Sequence, residues 1–569
     1  MARSNRCHVG PAIVSILIFC LGVVSLAAQE NVRATPSLEQ LDRLRDEEHW
    51  ERLIEVSRLI PNPGPDVRLL RGLALARTGR LTEAETELKM ALREEGADRS
   101  KILIELAGVY FKQKRYKESR RFLHRAMSAT PADRYLLDFL GSVYYLEGNL
   151  EAALKYWNQI DKPYLVDVNF NPDDCLKPVL LNRALAVSPA SELSLQALRL
   201  TDRQLDLLGV FSRHRYNLAA RPDGRFDLVI HAVPKTGILS GSTISSILSA
   251  ARELPFQTLN VDLRNLRRSA LNWSSSLRWK QGNHRLTSFL TSPVGGNPKL
   301  VYELGFSARD EEWNLGSWRE PTPLRMRLLE AEAGITSILT DRWVWSTGVH
   351  VSHRRLSDFV ATFPQADDDF ASGSVLASRW RTHFELLRFP ERRLELTADG
   401  RWELGRFWHD QATLFTIGQA GIRAEWEAQE NDELIVSIQA RGGKSAGQLP
   451  FDRLFRLGVD LDNDLLLRAH AGTHNGLKGN SPMGSGYLLA NLDLQKRIYS
   501  NALLTVSAGP FLDTGKILQP RSASVRPWMW DAGIEGRLAV LGIFQVGVSY
   551  GIDLESGNGV IYCRVTRKP

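Results

Sequence analysis

Gln545-Val546-Gly547-Val548-Ser549-Tyr550-Gly551-Ile552-Asp553-Leu554 alternates without a break. Val546, Val548, Tyr550, Ile552 and Leu554 share one face of an extended strand; Gln545, Gly547, Ser549, Gly551 and Asp553 share the other. Period two means β-structure, because successive side chains of a strand point to opposite faces. The same grammar runs upstream. Leu434, Val436, Ile438 and Ala440 alternate with Ser437, Gln439 and Arg441. Trp343, Trp345, Val349 and Val351 alternate with Ser346, Gly348 and His350, and Trp273, Leu277 and Trp279 with Ser274, Ser276 and Arg278. Soluble sandwiches alternate too, so two further features decide. The polar face carries Arg, Gln, His and Asp where a packed core needs aliphatics. Twelve of the 14 tryptophans lie beyond residue 270, the distribution of interfacial aromatic girdles. A closed barrel with a polar lumen satisfies its backbone groups without a buried apolar centre. Residues 256–569 are therefore expected to form a transmembrane antiparallel β-barrel of about 16 strands, at roughly 20 residues per strand and connection.

At 569 residues the chain is long enough for further domains, and the segments before the barrel have other grammars. Residues 1–28 read as a signal peptide: Arg3 and Arg6, the apolar run from Pro11 to Leu26, and Ser25-Leu26-Ala27 as a cleavage site. Its removal takes away Cys7 and Cys20. Cys175 and Cys563 remain, with no disulfide framework and no metal-ligand spacing. The net charge of +7 suits a surface near anionic headgroups, and an exported chain does not meet nucleic acid.

Residues 36–163 are helical in pattern, and three copies of one motif align. Gly72, Leu75, Gly79, Ala84, Leu88 and Ala91 match Ala107, Tyr110, Ser119, Leu123, Ala126 and Pro131, and then Gly141, Tyr144, Gly148, Ala153, Trp157 and Ile160. Small residues stand where helices cross, and bulky ones fill the gaps beside them. The period resembles the tetratricopeptide repeat, so Gly72, Ala84, Ala107, Tyr110, Gly141, Tyr144 and Ala153 are expected to pack a helical solenoid. Such repeats present a concave surface to a partner.

Residues 161–180, marked by Pro163, Pro172 and Pro178, read as a linker. Residues 176–236 then form a small α+β unit. A helix over Gln196–Leu208 is stopped by Gly209, and strands at Tyr216–Leu218 and Phe226–Val233 are joined by the turn Arg221-Pro222-Asp223-Gly224. A helix ending in Leu208-Gly209-x-Phe211, followed by this hairpin, is similar to the polypeptide-transport-associated (POTRA) module.

Two further stretches concern the barrel's interior. One is Leu466-Leu467-Arg468-Ala469-His470-Ala471-Gly472, in a loop rich in glycine and asparagine. The other is Phe511-Leu512-Asp513-Thr514-Gly515, in a strand. Together with Leu489-Ala490-Asn491-Leu492-Asp493-Leu494 they resemble the BamA/TamA-type bacterial surface antigen superfamily of outer-membrane insertases and translocases. In that family a lumen loop carries an arginine that meets a strand aspartate. The resemblance implies that Arg468 and Asp513 form a clasp, with Leu467, Ala469, His470, Phe511 and Gly515 in support. Ala469 and His470 stand where the family has glycine and an aromatic residue. An arginine pairing a carboxylate in two places would offset the entropy of holding a long loop inside a lumen.

The family further implies placement in the bacterial outer membrane with the N-terminal domains in the periplasm, contact with lipid, polypeptide clients, and a periplasmic protein partner for the repeats. Neither cofactor nor metal is implied, since His470 and His474 lack a carboxylate or cysteine at ligand spacing. No Gly-x-Ser-x-Gly or His-Glu-x-x-His is present, so no catalytic residue is assigned and an enzyme is not expected. The alternative is a porin for exopolysaccharide export, which also joins tetratricopeptide repeats to a barrel.

Overall fold

The computed structural model describes residues 36–235, 250, 253–315, 323–357, 370–428, 434–501, 503–520, 528–540 and 544–567; the expected signal peptide lies outside them. The chain divides into two compact units, Met1–Ile160 and Asp161–Pro569.

Among the described residues of the first unit eight α-helices follow one another: α1 (Leu38–Asp46), α2 (Trp50–Arg58), α3 (Pro65–Arg77), α4 (Leu81–Arg93), α5 (Arg99–Lys112), α6 (Tyr116–Met127), α7 (Arg134–Leu146) and α8 (Leu150–Trp157). Ser37, Asp98, Asp133 and Asn149 each accept a backbone N–H at a helix start, which is why α1, α5, α7 and α8 begin where they do. Helices pack in consecutive pairs, α3 on α4, α5 on α6 and α7 on α8. The small residues set how close those pairs come. A Cβ at Gly72 would lie 2.6 Å from Leu88 Cγ, and one at Gly141 would lie 2.4 Å from Trp157 Cδ1. Ala84, Ala107 and Ala153 are fully buried. Tyr110 stacks on Phe122 with ring centroids 5.3 Å apart, and Tyr144 on Tyr156 at 5.5 Å. The Tyr110 hydroxyl donates to Glu85 at 3.0 Å, and that of Tyr144 meets His124 Nε2 at 2.8 Å.

The second unit opens with a small module. It contains β1 (Leu165–Asn171), α9 (Pro178–Ala184), α10 (Leu195–Leu208), β2 (Phe211–Ala220) and β3 (Phe226–Pro234), with sheet order β1-β3-β2. This corrects the linker expected at 161–180. Val166, Val168 and Phe170 alternate with Asp167, Asn169 and Asn171, and β1 pairs in parallel with β3. The prolines flank structure instead of excluding it: Pro163 precedes β1, Pro172 follows it, and Pro178 opens α9, where the missing N–H costs nothing. The module therefore begins about ten residues before 176.

The described residues that follow form a closed barrel of 18 strands in sequence order. The membrane-length strands are β4 (Thr258–Leu266), β5 (Leu271–Lys280), β6 (Asn283–Val294), β7 (Asn297–Asn314), β8 (Pro323–Ile338), β9 (Trp343–Ser357), β10 (Gly373–Phe389), β11 (Leu394–Trp408), β12 (Ala412–Glu427), β13 (Leu434–Gly447), β17 (Met483–Ser500), β18 (Leu504–Pro520), β19 (Met529–Val540), β20 (Phe544–Asp553) and β21 (Gly559–Arg567). Three two-residue strands, β14 (Phe455–Arg456), β15 (Thr473–His474) and β16 (Leu477–Lys478), belong to the connection between β13 and β17. Among the described residues this leaves fifteen long strands where about sixteen were expected. The ring closes between β21 and β4. Both run from the end bearing the β13–β17 connection towards the end bearing the tight turns, so these neighbours point the same way, while β4 to β21 otherwise alternate.

Facing residues sort as a bilayer barrel requires. Val349, Val351, Ile438, Val548 and Tyr550 are about half exposed on the outer wall, while His350, Ser352 and Arg354 between or beside them are buried inside. The tryptophans form girdles in part. Trp343 and Trp426 sit at the tight-turn end, Trp279, Trp408 and Trp530 at the other, but Trp380 and Trp402 stack edge-to-face near mid-height. Trp313 turns inward and is buried.

The lumen also departs from the purely polar interior expected. Phe455, Leu457, Leu465 and Leu467 of the β13–β17 connection pack on Phe407, Phe415, Tyr487, Leu489 and Ile517 of the wall. Phe451 joins Trp313, Leu324, Met326 and Leu328 in a second cluster. An inserted loop supplies the apolar partner that the wall residues face, so period-two strands can carry aliphatics inward here without a conventional core.

Candidate functional site

The connection of residues 448–482 enters the lumen, and Arg468 lies near its tip. Asn463 shapes the turn before it: its amide donates to the carbonyls of Arg456 at 3.1 Å and Gly458 at 2.8 Å. Val459 and Ala471 then bridge the two limbs. Arg468 is thereby presented to β17, β18 and β19.

The guanidinium of Arg468 grips Asp513 in two places, Nε to Oδ2 at 2.8 Å and Nη2 to Oδ1 at 2.7 Å. The backbone N–H of Arg468 adds a third bond to Oδ2 at 3.1 Å. Nη1 donates to Asp493 at 2.6 Å and to Glu535 at 2.7 Å. The cation also lies over the Phe511 ring, 3.6 Å from its centroid. Arg468 is 3% exposed, Glu535 1% and Asp513 0%, so these charges meet in a space that water barely enters. Asn491 ties the two sides, donating to Asp513 Oδ1 at 2.8 Å and to the Leu466 carbonyl at 2.9 Å.

The supporting residues named from the sequence have distinct places. Leu467 is fully buried in the lumen's apolar cluster. Ala469 donates its backbone N–H to Asp531 Oδ2 at 2.6 Å, and His470 Nδ1 meets the same oxygen at 3.2 Å. His474 lies in the short β15 and is exposed. Gly515 leaves room for the loop: a Cβ there would lie 2.9 Å from Leu457 Cδ1. Gly551 on β20 does the same for the tip, with a Cβ position 2.7 Å from the Arg468 carbonyl oxygen.

Sequence reasoning missed Asp493, Glu535, Asp531 and Gly551. Asn491 and Asp493 lay inside the quoted Leu489–Leu494 segment, and Asp531 and Glu535 share one face of β19. That shared face was a usable signal.

Two more ionic anchors hold the loop. Lys478 Nζ reaches Glu311 at 2.7 Å and Asp462 at 2.9 Å, and Asp462 also receives Arg278 at 3.1 Å and Arg285. Asp452 pairs with the fully buried Arg354 at 3.0 Å. Neighbouring Arg453 donates to His350 Nε2 at 3.1 Å.

The module residues Leu208, Gly209 and Phe211 lie where α10 ends and β2 begins. Gly209 takes φ +65°, a left-handed conformation that glycine adopts without cost, and Leu208 and Phe211 are buried. The freed Leu208 carbonyl accepts from the Asn272 amide of β5 at 2.9 Å. Lys177 N–H donates to the Arg268 carbonyl at 2.8 Å, and Arg203 Nε to the Asp341 carbonyl at 3.3 Å. Arg199 and Arg203 reach the buried Glu385 of β10 at 3.5 and 3.6 Å. The module is thus fastened to the tight-turn end of the barrel, opposite the loop's entry.

No family model matches the chain, and no curated protein does. Solved structures similar to it include CdiB from Escherichia coli, at 14% identity over 71% of this chain and 76% of that one, with a TM-score of 0.45. CdiB from Acinetobacter baumannii follows at 11% identity, 71% and 73% coverage and 0.43. BamA from Haemophilus ducreyi lacking POTRA domains 1–3 is similar at 11% identity, 71% and 85% coverage and 0.39.

Proposed function

We propose that this chain is an outer-membrane β-barrel of the BamA/TamA type that inserts polypeptides into the membrane or translocates them across it. The observation carrying this reading is the clasp: a long loop drawn into the lumen and held at its tip by one arginine bonded to Asp513, Asp493 and Glu535. A passive pore gains nothing from such a plug, whereas a barrel that admits a chain needs a lumen held shut until a client arrives. The half-exposed aliphatics of the outer wall, such as Ile438 and Val548, suit lipid contact and hence the outer membrane.

In this reading the βααββ module is POTRA-like and faces the periplasm, where it receives clients as added strands. The helix pairs are tetratricopeptide-like and recruit a periplasmic protein. The protein works without cofactor, nucleotide or catalytic residue.

Planar-bilayer conductance of refolded wild-type protein beside Arg468→Ala tests the proposal. A small, flickering wild-type conductance that grows or destabilises in the variant supports it. A large, steady conductance indifferent to Arg468 moves the exopolysaccharide porin to first place.

A further inference from the structure

Beside the loop the lumen keeps a cavity of about 470 Å³, walled by β10 to β12 and roofed by loop residues 452–456 and 463–465. Its lining holds five guanidinium groups, those of Arg379, Arg381, Arg401, Arg453 and Arg456, against the carboxylates of Glu403, Asp452 and Asp464. Those carboxylates are already engaged. Glu403 lies between Arg379 at 2.9 Å and Arg453 at 3.8 Å. Asp452 holds Arg354 at 3.0 Å. Asp464 lies between Arg401 at 3.2 Å and Arg441 at 3.6 Å. Beyond the cavity lining, Arg379 also meets Glu332 at 3.0 Å, Arg453 meets Glu330 at 3.5 Å and Arg456 meets Asp460 at 3.9 Å. The charge left without an ion pair to a described residue is that of Arg381, which shares a further cavity with Glu303.

Arg381 on β10 stands directly opposite Arg401 on β11 in the strand register. Like charges at opposed positions of an antiparallel pair repel, and a sheet does not place them there for stability. Arg381 has no hydrogen bond or ion pair with any described residue and faces both this cavity and an adjoining one of about 210 Å³. From the loop side, the buried Nε of Arg453 also has no partner among the described residues.

We propose that this cavity binds a phosphoryl oxyanion of pyrophosphate size, seated between Arg381 and Arg401 and closed from above by Arg453. A guanidinium presents parallel N–H donors that match two oxygens of a phosphoryl group. One such group between the opposed arginines turns their repulsion into two attractions. The cavity exceeds what a single phosphate fills, so the ligand carries more than one phosphoryl group or bears its phosphoryl on a larger body. This site is separate from the Arg468 clasp and does not depend on the proposed transport role.

The test is isothermal titration of full-length refolded protein in neutral detergent at constant ionic strength. One arm uses inorganic pyrophosphate and the other water-soluble dihexanoyl phosphatidic acid. At least one ligand is expected to give saturable binding of one molecule per chain, weakened about tenfold or more in Arg381→Gln/Arg401→Gln, the loss of charge-assisted bonds to two guanidiniums. Saturation by pyrophosphate alone assigns a soluble oxyanion, and saturation by phosphatidic acid assigns a lipid headgroup. Arg423→Gln is the control: it removes the same charge from a lumen guanidinium paired with Glu425 at 2.9 Å, outside the cavity, and is expected to leave affinity within about twofold. If the double variant does not fold, Arg381→Gln alone carries the comparison, because that side chain bonds no described residue. No saturable binding of either ligand, or an equal loss in Arg423→Gln, overturns the proposal.

Discussion

The charge on Arg468 is compensated only because four oxygens of three carboxylates converge on it. Removing it leaves Asp513 buried without its cation, while Glu535 keeps Arg537 and Arg564 at 3.0 Å each, so Arg468→Ala is expected to cost about 3–5 kcal/mol, read as a lower urea midpoint in heat-modifiable migration. Arg468→Lys is expected to recover part of this, since an ammonium keeps the charge but not the two-point grip on Asp513. A quieter residue makes an equally sharp case. Gly551→Ala places a methyl 2.7 Å from the Arg468 carbonyl oxygen, against backbone that has nowhere to go. A cost of about 1–3 kcal/mol is expected in the same assay, with the Arg468 carboxylate partners untouched. The arginine and its first aspartate were legible in the sequence because each sits in a recognisable run. Glu535 and Asp531 were legible only as a pair on one face of β19; that this face meets the loop tip depends on where β19 falls in the ring relative to a loop some sixty residues upstream.

Elements repeat the lesson in a different form. The period-two alternation quoted from the sequence falls on β5, β9, β13 and β20, each a strand of the ring. The segment 161–180 misled because three prolines mask a short strand whose partner, β3, is some sixty residues away. Within the helix pairs, Gly141→Ala is expected to destabilise the first unit by about 1–3 kcal/mol, seen as a lower thermal midpoint, because the added methyl meets the Trp157 indole. The module carries a titratable cluster where α10 faces β2. His214 Nε2 lies 2.6 Å from Asp202, with the Tyr216 hydroxyl on the same oxygen. Burial pulls the His214 pKa down, but the Asp202 hydrogen bond and the charges of Asp202 and Asp206 outweigh it and leave it raised above 6.5. A raised folded value means the contribution is fully present below about pH 6.5 and is lost as pH climbs through the folded pKa. Tyr216, pushed up by burial, stays neutral across that window. Protease susceptibility of the module in the full chain is therefore expected to rise as the pH climbs above about 6.5, and His214→Gln to flatten the rise.

For the molecule as a whole, the outer wall defines the environment it needs. Ile534 on β19 is 64% exposed and near mid-height. Ile534→Arg is expected to cost about 2–4 kcal/mol on folding into phospholipid vesicles and far less in detergent micelles, where the guanidinium reaches water. Equal losses in both media would argue against a bilayer there. The architecture has a further property in its closure. Barrels enlarged by copying β-hairpins gain strands in twos, and their first and last strands always run opposite ways. Here β21 and β4 meet head beside head and tail beside tail. Among the described residues this seam is the ring's one parallel meeting of long strands, and its slanted bonds hold less per residue than the antiparallel ladders on either side, so the wall is weakest where its two ends join.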